Sequence, residues 1–357
     1  MEDSTPNSTK PLTKRRWWPL VKWLLFVLVM FFIGKRAVAL WQSSPPTELH
    51  VDVTWLIPAA VLYLIGWLPS VWFWRALLVR MEQRLGWRDA IRAYYVGHMG
   101  KYIPGKALVL VIRGALVKEA GTNPVLGGLT AAYETLVSMA AGLAIAVGLA
   151  PFVIGDGLWQ QMPAAVRVLR EQTLLVPLVV AFATFASTPF SAWLFTRAGR
   201  KALPRTSDAD ESSSGKIRGL TPPARQAAPA ITASLVSQGV VITSLGWVCH
   251  ALSLGCTLQA ISDGPIDLAQ FPIWLASATL STVLGFVVLI APGGLGVREW
   301  VLIEILKDQP TIGAEKAIVA AGLLRGVWFV AELLAAGVLY TIRPRRSTST
   351  DSRPGRN

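Results

Sequence analysis

Ala291-Pro292-Gly293-Gly294-Leu295-Gly296-Val297-Arg298-Glu299 interrupts two apolar stretches in the last third of the chain and delivers an arginine and a glutamate where hydrocarbon would be expected. A bilayer core offers no hydrogen-bond partners, so backbone freed by a proline and three glycines persists only if buried in protein or lining a polar cavity. The break therefore predicts a site. A second interruption, Tyr102-Ile103-Pro104-Gly105-Lys106, lies in the first third and again sets a cation directly after Pro-Gly. Paired interrupted segments in the two halves of a membrane chain point to a substrate site.

Working outward, the 357 residues are 53% hydrophobic and 15% charged, with several apolar runs of spanning length. That composition predicts an all-α polytopic membrane protein rather than a soluble enzyme. Full spans are expected at Trp18 to Leu40, Trp55 to Val79, Val125 to Ile154, Leu174 to Phe195, Ala230 to Ile261 and Ala317 to Thr341. Each is near or above the ~20 residues that cross a bilayer. Pro69, Pro177 and Pro189 are expected to kink their helices. The net charge of +13 would point to nucleic acid in a soluble protein. Here the basic residues fall between and beside apolar spans, so anionic lipid headgroups are the expected partner and nucleic acid is not.

Positive-inside counting sets the topology. The loop from Arg75 to Lys118 holds nine Lys or Arg, and that from Arg197 to Arg225 holds seven against three acids, so both belong in the cytoplasm. Ser262 to Gln270 carries Asp263 and Asp267 without a cation and belongs outside. The arginine-rich tail after Ile342 asks for the cytoplasm again. That parity is met if Phe271 to Ala291 enters from outside, breaks at Pro292 to Gly296 and returns through Val297 to Leu306 as a re-entrant hairpin. Trp87 to Ile103 with Lys106 to Ala120 forms the matching hairpin from the cytoplasmic side. The result is about six full spans plus two Pro-Gly-broken hairpins, related as an inverted repeat. The alternative is a full crossing by Phe271 to Ala291, which removes the repeat and places the tail outside. The division expected is a cytoplasmic tail at 1–17, one integral domain at 18–343 with a polar cytoplasmic loop at 198–228, and a basic cytoplasmic tail at 344–357. Location in the cell membrane with both termini cytoplasmic follows.

These residues resemble the transmembrane region of lysylphosphatidylglycerol synthases, a flippase-like family that also occurs without the soluble aminoacyl-transferase domain. Pro292-Gly293-Gly294-Leu295-Gly296-Val297-Arg298-Glu299 is similar to the family's Pro-Gly-Gly-x-Gly-x-Arg-Glu motif, and Lys101-Tyr102-Ile103-Pro104-Gly105-Lys106 with Arg113 to a Tyr-x-Pro-Gly-Lys variant lacking the family's Gly-Glu before the arginine. Glu134 and Arg325 match family positions, although Thr135 and Ser138 stand where Arg and Asp are often found. The chain stops shortly after Arg346, so the transferase domain is expected to be absent.

A charge at mid-span costs roughly 2.5 to 3.5 kcal/mol on insertion scales, so Glu134, Arg325 and Glu332 should face protein or a cavity. Arg325 and Glu332 share one helix face but lie ~10 Å apart along it; each should meet a partner from another segment. Lys106, Arg113, Arg298 and Arg325, with Gly293, Gly294, Gly296 and the helix N-terminus there, are the candidate lipid-phosphate site. Glu134, Glu299 and Glu332 are the candidate cavity acids, and Pro104, Gly105 and Pro292 the helix breaks. The plainer alternative is that these charges are internal ion pairs fixing helix register. The fifteen tryptophans, Trp55 and Trp274 among them, read as interfacial anchors. Gly127, Gly128 and Gly142 read as close-packing positions. Cys249, Cys256, His50, His98 and His250 form no nucleophile or metal pattern, and no phosphate-binding loop occurs, so no cofactor, metal or covalent chemistry is expected. The leading expectation is a protein that translocates or presents an anionic or polyisoprenyl-phosphate-linked lipid. The alternatives are a membrane subunit that modifies lipid headgroups, and a scaffold for a separate aminoacyl- or glycosyl-transferase.

Overall fold

A computed structural model describes residues 50–102, 107–153, 170–172, 175–202, 231–288 and 292–341, with the single positions 35, 160 and 167. The expected first span, the polar loop around 207–215, both tails, and Pro104, Gly105 and Lys106 lie outside the described residues. Among those described there is no strand; the chain is an all-α, multi-pass membrane protein.

The helices run α1 (Leu56–Arg80), α2 (Trp87–His98), α3 (Ala107–Glu119), α4 (Pro124–Val153), α5 (Leu175–Ala186), α6 (Thr188–Ala202), α7 (Ala233–Gln259), α8 (Phe271–Val287), α9 (Val297–Leu306) and α10 (Gly313–Thr341). Six stretches among the described residues are long and apolar enough to cross a membrane: Val53–Arg80, Pro124–Val153, Leu175–Ala198, Ala233–Gln259, Leu268–Val287 and Gly313–Thr341. Five coincide with expected full spans, and the sixth is the descending arm of the second expected hairpin. Proline acts more mildly than expected. α1 continues unbroken through Pro69, and Pro177 sits near the start of α5. Only near Pro189 does the helix divide, between Ala186 and Thr188.

Two units share one order: a long helix, a broken helical hairpin, a long helix. In the first, α1 is followed by α2 and α3, which pack as a hairpin, and by α4; in the second, α7 is followed by the α8 and α9 hairpin and by α10. The two leading helices pack antiparallel. The Ser253 hydroxyl donates to the Ala59 carbonyl at 2.7 Å, Gly66 faces Gly246, and Phe73 lies on Gly239. Each step of seven residues along α1 is matched by a step of seven back along α7, the spacing that keeps a seam on one face. The leading helices of the two units thus run in opposite directions, as an inverted repeat requires of them.

Small residues make the seam possible, since lipid and leucine are equally apolar and helices in a bilayer associate by close contact. A methyl group at Gly66 would meet the His250 ring at 2.7 Å, and one at Gly246 would strike the Gly66 carbonyl oxygen. Elsewhere tryptophans fill the spaces that glycine leaves. Trp247 covers Gly142 and donates to the Ser138 carbonyl at 3.0 Å. Trp274, expected at the membrane interface, is instead 1% exposed and packs on Gly255, because a glycine one helix away opens a slot that only a large flat ring fills.

Replacing Gly246 by Val should lower the thermal midpoint of the detergent-solubilised protein by the equivalent of about 1–3 kcal/mol of overpacking. Gly322→Ala, at a position where an added methyl meets nothing within 4 Å, should leave it unchanged. Equal midpoints for the two variants would mean that α1 and α7 do not cross at this point.

Candidate functional site

The second break is built from left-handed backbone. Gly293, Gly294 and Gly296 have φ of 59°, 71° and 85°, values that side chains with a Cβ rarely adopt, and so the three glycines of the motif are a conformational requirement. The turn lets α9 fold back on α8. At the first break a short turn, Met99–Tyr102, ends α2. The two tips meet: the Tyr102 ring lies against Gly293, and Arg325 from α10 reaches across both, its guanidinium carbon 5.5 Å from the Tyr102 ring centre.

Around this meeting point the buried charges gather. Arg113 on α3 is 1% exposed, pairs with Glu134 on α4 at 3.2 Å and lies 3.6 Å over the Tyr94 ring; Tyr94 donates to the other Glu134 oxygen at 3.2 Å. Glu332 on α10 accepts from the Tyr63 hydroxyl and the Lys101 ammonium, and from the Tyr102 hydroxyl at 2.8 Å. His98 stands between these groups, with Nε2 at 3.8 Å from Glu332 and Nδ1 at 3.4 Å from Arg113. Arg325 meets Glu299 at 3.5 Å and donates to the Gly293 carbonyl at 3.2 Å. Arg298 donates to the Thr282 hydroxyl at 2.9 Å and lies 4.8 Å over the Trp328 ring.

Each hairpin holds its arginine in the same way. A Cβ at Gly97 on α2 would collide with the Arg113 stem, and a Cβ at Gly285 on α8 would collide with the Arg298 stem. A glycine on the first arm thus lets an arginine of the second arm lie flat against the opposing backbone. The long apolar stem is buried while the guanidinium reaches inward.

Between the tips and α4 lies a cavity of about 360 Å³. Its polar lining includes His98, Lys101, Arg113, Glu134, Thr282 and Arg298; its apolar lining includes Leu110, Leu136, Met139 and Phe286. Leu136 is 59% exposed on the flank of a spanning helix, so the cavity reaches a surface that lipid would cover. The matching space in the second unit, between α8, α9 and α10, is only about 20 Å³, and Arg298 borders both.

Of the expected site residues, Arg113, Glu134, Gly293, Gly294 and Arg298 line the large cavity, while Glu299 and Arg325 border the small one. Glu332 lies behind Lys101 and borders neither. At the start of α9 the Glu299 carboxylate accepts from the Gly296 N–H at 2.5 Å, since an acid at the third helical position folds back onto the cap. Sequence reading passed over Tyr63, Tyr94 and Thr282, and gave His98, Lys101 and Tyr102 no part in the site although it named them. Tyr94, His98 and Lys101 follow each other at spacings of four and three, which sets them on one helix face just before a break; that pattern was the available signal.

Residues 20–336 match the family model described as lysylphosphatidylglycerol synthase TM region, a stretch that contains every residue of the charged cluster. Comparison with curated proteins finds no match.

Breaking the Arg113–Glu134 pair from either side should be costly, about 3–5 kcal/mol, because the remaining charge is left buried and alone. Arg113→Gln and Glu134→Gln should each lower the thermal midpoint strongly, and the double variant should recover part of the loss. A double variant that shows the full sum of the two losses would mean that the residues do not interact.

Proposed function

We propose, on the premise that this chain belongs to the lysylphosphatidylglycerol synthase TM region family, that it binds an anionic lipid with the headgroup in the large cavity and moves that lipid between leaflets. The observation that carries this reading is the cavity itself. It joins buried cations contributed by both hairpins to a lipid-facing flank at Leu136, so a headgroup could be held inside while its chains stay in the bilayer. Arginine suits the task, since its planar fork of donors matches phosphate oxygens and it keeps its charge in apolar surroundings.

Translocation, rather than binding alone, is supported by the unequal spaces in two inverted units. The first unit has about 360 Å³ beside its hairpin and the second about 20 Å³ beside its own, with Arg298 as the shared wall. Exchanging the conformations of two inverted units would close the first space and open the second toward the opposite leaflet, which is alternating access by rocking about a fixed site. The cell membrane is the location that suits this reading, and the positive-inside rule favours an orientation with both termini cytoplasmic.

In liposomes carrying a fluorescent phosphatidylglycerol, the reconstituted protein should expose inner-leaflet label to an external quencher. Arg298→Gln should slow this exposure about tenfold or more, corresponding to roughly 1.4 kcal/mol or more of lost interaction in the transition state. Protein-free liposomes and Gly322→Ala provide the baseline and the control. The reading fails if wild-type protein leaves the label where it began, or if Arg298→Gln is as fast as wild type.

A further inference from the structure

His98 joins the two buried charge clusters that the hairpin tips bring together. Its Nδ1 lies 3.4 Å from Nη2 of Arg113, while Nη1 of the same guanidinium donates to Glu134 at 3.2 Å. Its Nε2 lies 3.8 Å from Glu332, which comes from α10 in the second unit. A guanidinium can only donate, so Nδ1 is the bare, accepting nitrogen and the ring proton sits on Nε2, facing the Glu332 carboxylate. The imidazole lines the large cavity and is held in this orientation by the Trp67 ring, 4.3 Å away between centres, and by the Tyr94 ring, stacked at 5.9 Å. Among the described residues, titratable or charged groups surround it from every packed element: Lys101 just beyond α2, Arg113 on α3, Glu134 on α4 behind Arg113, His250 on α7, Arg298 on α9 and Glu332 on α10, with the Tyr63 hydroxyl of α1 on Glu332.

From this junction we infer that the protein moves one proton together with each lipid, a proton–lipid symport in which His98 carries the proton. The inference rests on the lipid-moving reading above and supplies the ion that drives it. While Arg113 donates to Nδ1, that nitrogen is closed to a proton. A headgroup phosphate in the cavity competes for Arg113, whose Nε lacks a hydrogen-bond partner on a side chain 1% exposed. Once the guanidinium turns to the phosphate, Nδ1 is released and Glu134, itself 1% exposed, loses its cation. A buried carboxylate left without a partner is strongly unfavourable. A proton taken from the aqueous phase open at that moment forms an N–H bond at Nδ1 and corrects both faults. The ring then directs one N–H to the side of Glu134 and the other to Glu332.

Proton and lipid therefore bind together and not in exchange, and each raises the affinity for the other by the same factor. The imidazolium also lies between Glu134 of the first unit and Glu332 of the second, so it ties the two units together only when the lipid is in place. Imidazole suits this part because it titrates near neutrality and can both load and unload. When the site opens to the other leaflet, departure of the phosphate returns Arg113 to Glu134 and to Nδ1, and the proton leaves with the lipid. Whatever the resting charge of the site, a lipid of one negative charge and one proton cross as a neutral pair.

The test uses the full chain in liposomes that carry a fluorescent phosphatidylglycerol and an internal pH-sensitive dye, with an external quencher reporting the leaflet that the label occupies. With the outside more acidic by about one pH unit, label should accumulate in the inner leaflet up to about a tenfold excess, the limit set by one proton per lipid. Reversing the gradient should reverse the accumulation, and protein-free liposomes give the baseline. A potassium-diffusion potential at equal pH should leave the label evenly distributed. His98→Gln, which cannot take the proton, should abolish both the accumulation and the protein-dependent acidification that accompanies it. The wild-type experiment decides the matter even if the variant fails to fold. Label that equilibrates equally with and without the pH gradient leaves lipid movement standing and overturns the coupling. Accumulation that follows the electrical potential alone, or that persists at full size in a folded His98→Gln, overturns it as well. If wild type moves no label under any gradient, the lipid-moving reading falls and takes this inference with it.

Discussion

Two structural liabilities, broken backbone and buried charge, are resolved here by one set of contacts. Breaking a helix in hydrocarbon strands carbonyl and N–H groups, and burying a charge there demands a counter-group. At the second break the Gly293 carbonyl accepts from Arg325, the Gly296 N–H donates to Glu299, and the same Arg325 and Glu299 face each other at 3.5 Å. The charged side chains supply the partners that the interrupted backbone lost, while the interruption gives the charges a polar neighbourhood. Neither feature is tenable in a bilayer without the other.

The antiparallel seam of α1 and α7 sets the two units head to tail and thereby brings one hairpin tip against the other. Glycine at the crossing determines how near the units come. Tryptophan at Gly142 and Gly255 seals the faces beside them. Within that frame the units need not have the same internal spacing, and they do not: one leaves a ligand-sized space beside its hairpin and the other a space barely wide enough for a water molecule. Arg298, on the boundary, is the group that a change of conformation would carry from one environment to the other.

Much of this was readable in the chain. The Pro-Gly-Gly break declared itself, because proline and clustered glycine have few uses inside an apolar segment, and Glu134, Arg325 and Glu332 stood out for the cost of a charge at mid-span. Hydropathy placed the long helices. What was hidden is azimuthal and non-local. Arg113 and Glu134 pair across two different helices, and the Tyr63 hydroxyl reaches Glu332 from the other half of the chain, so no window along the sequence contains both partners. Lys101, Tyr102 and His98 were named without a part in the site because each is unremarkable alone; only their shared position beside a break gives them meaning. Trp274 was misplaced because an interfacial and a slot-filling tryptophan look identical until the glycine opposite is known.

The proposed entry of a lipid phosphate into the space between the hairpin tips, where it would meet Arg298, is open to direct test. Photolabelling in native membranes tests it most directly, with a phosphatidylglycerol bearing a photoreactive group next to the phosphate and the adducts mapped by peptide. Adducts should concentrate on the residues flanking the cavity, around Tyr94–Tyr102, Leu110–Arg113 and Thr282–Arg298, and should fade when unlabelled phosphatidylglycerol is added in excess. Adducts confined to the helix ends, with the hairpin tips unlabelled, would contradict it.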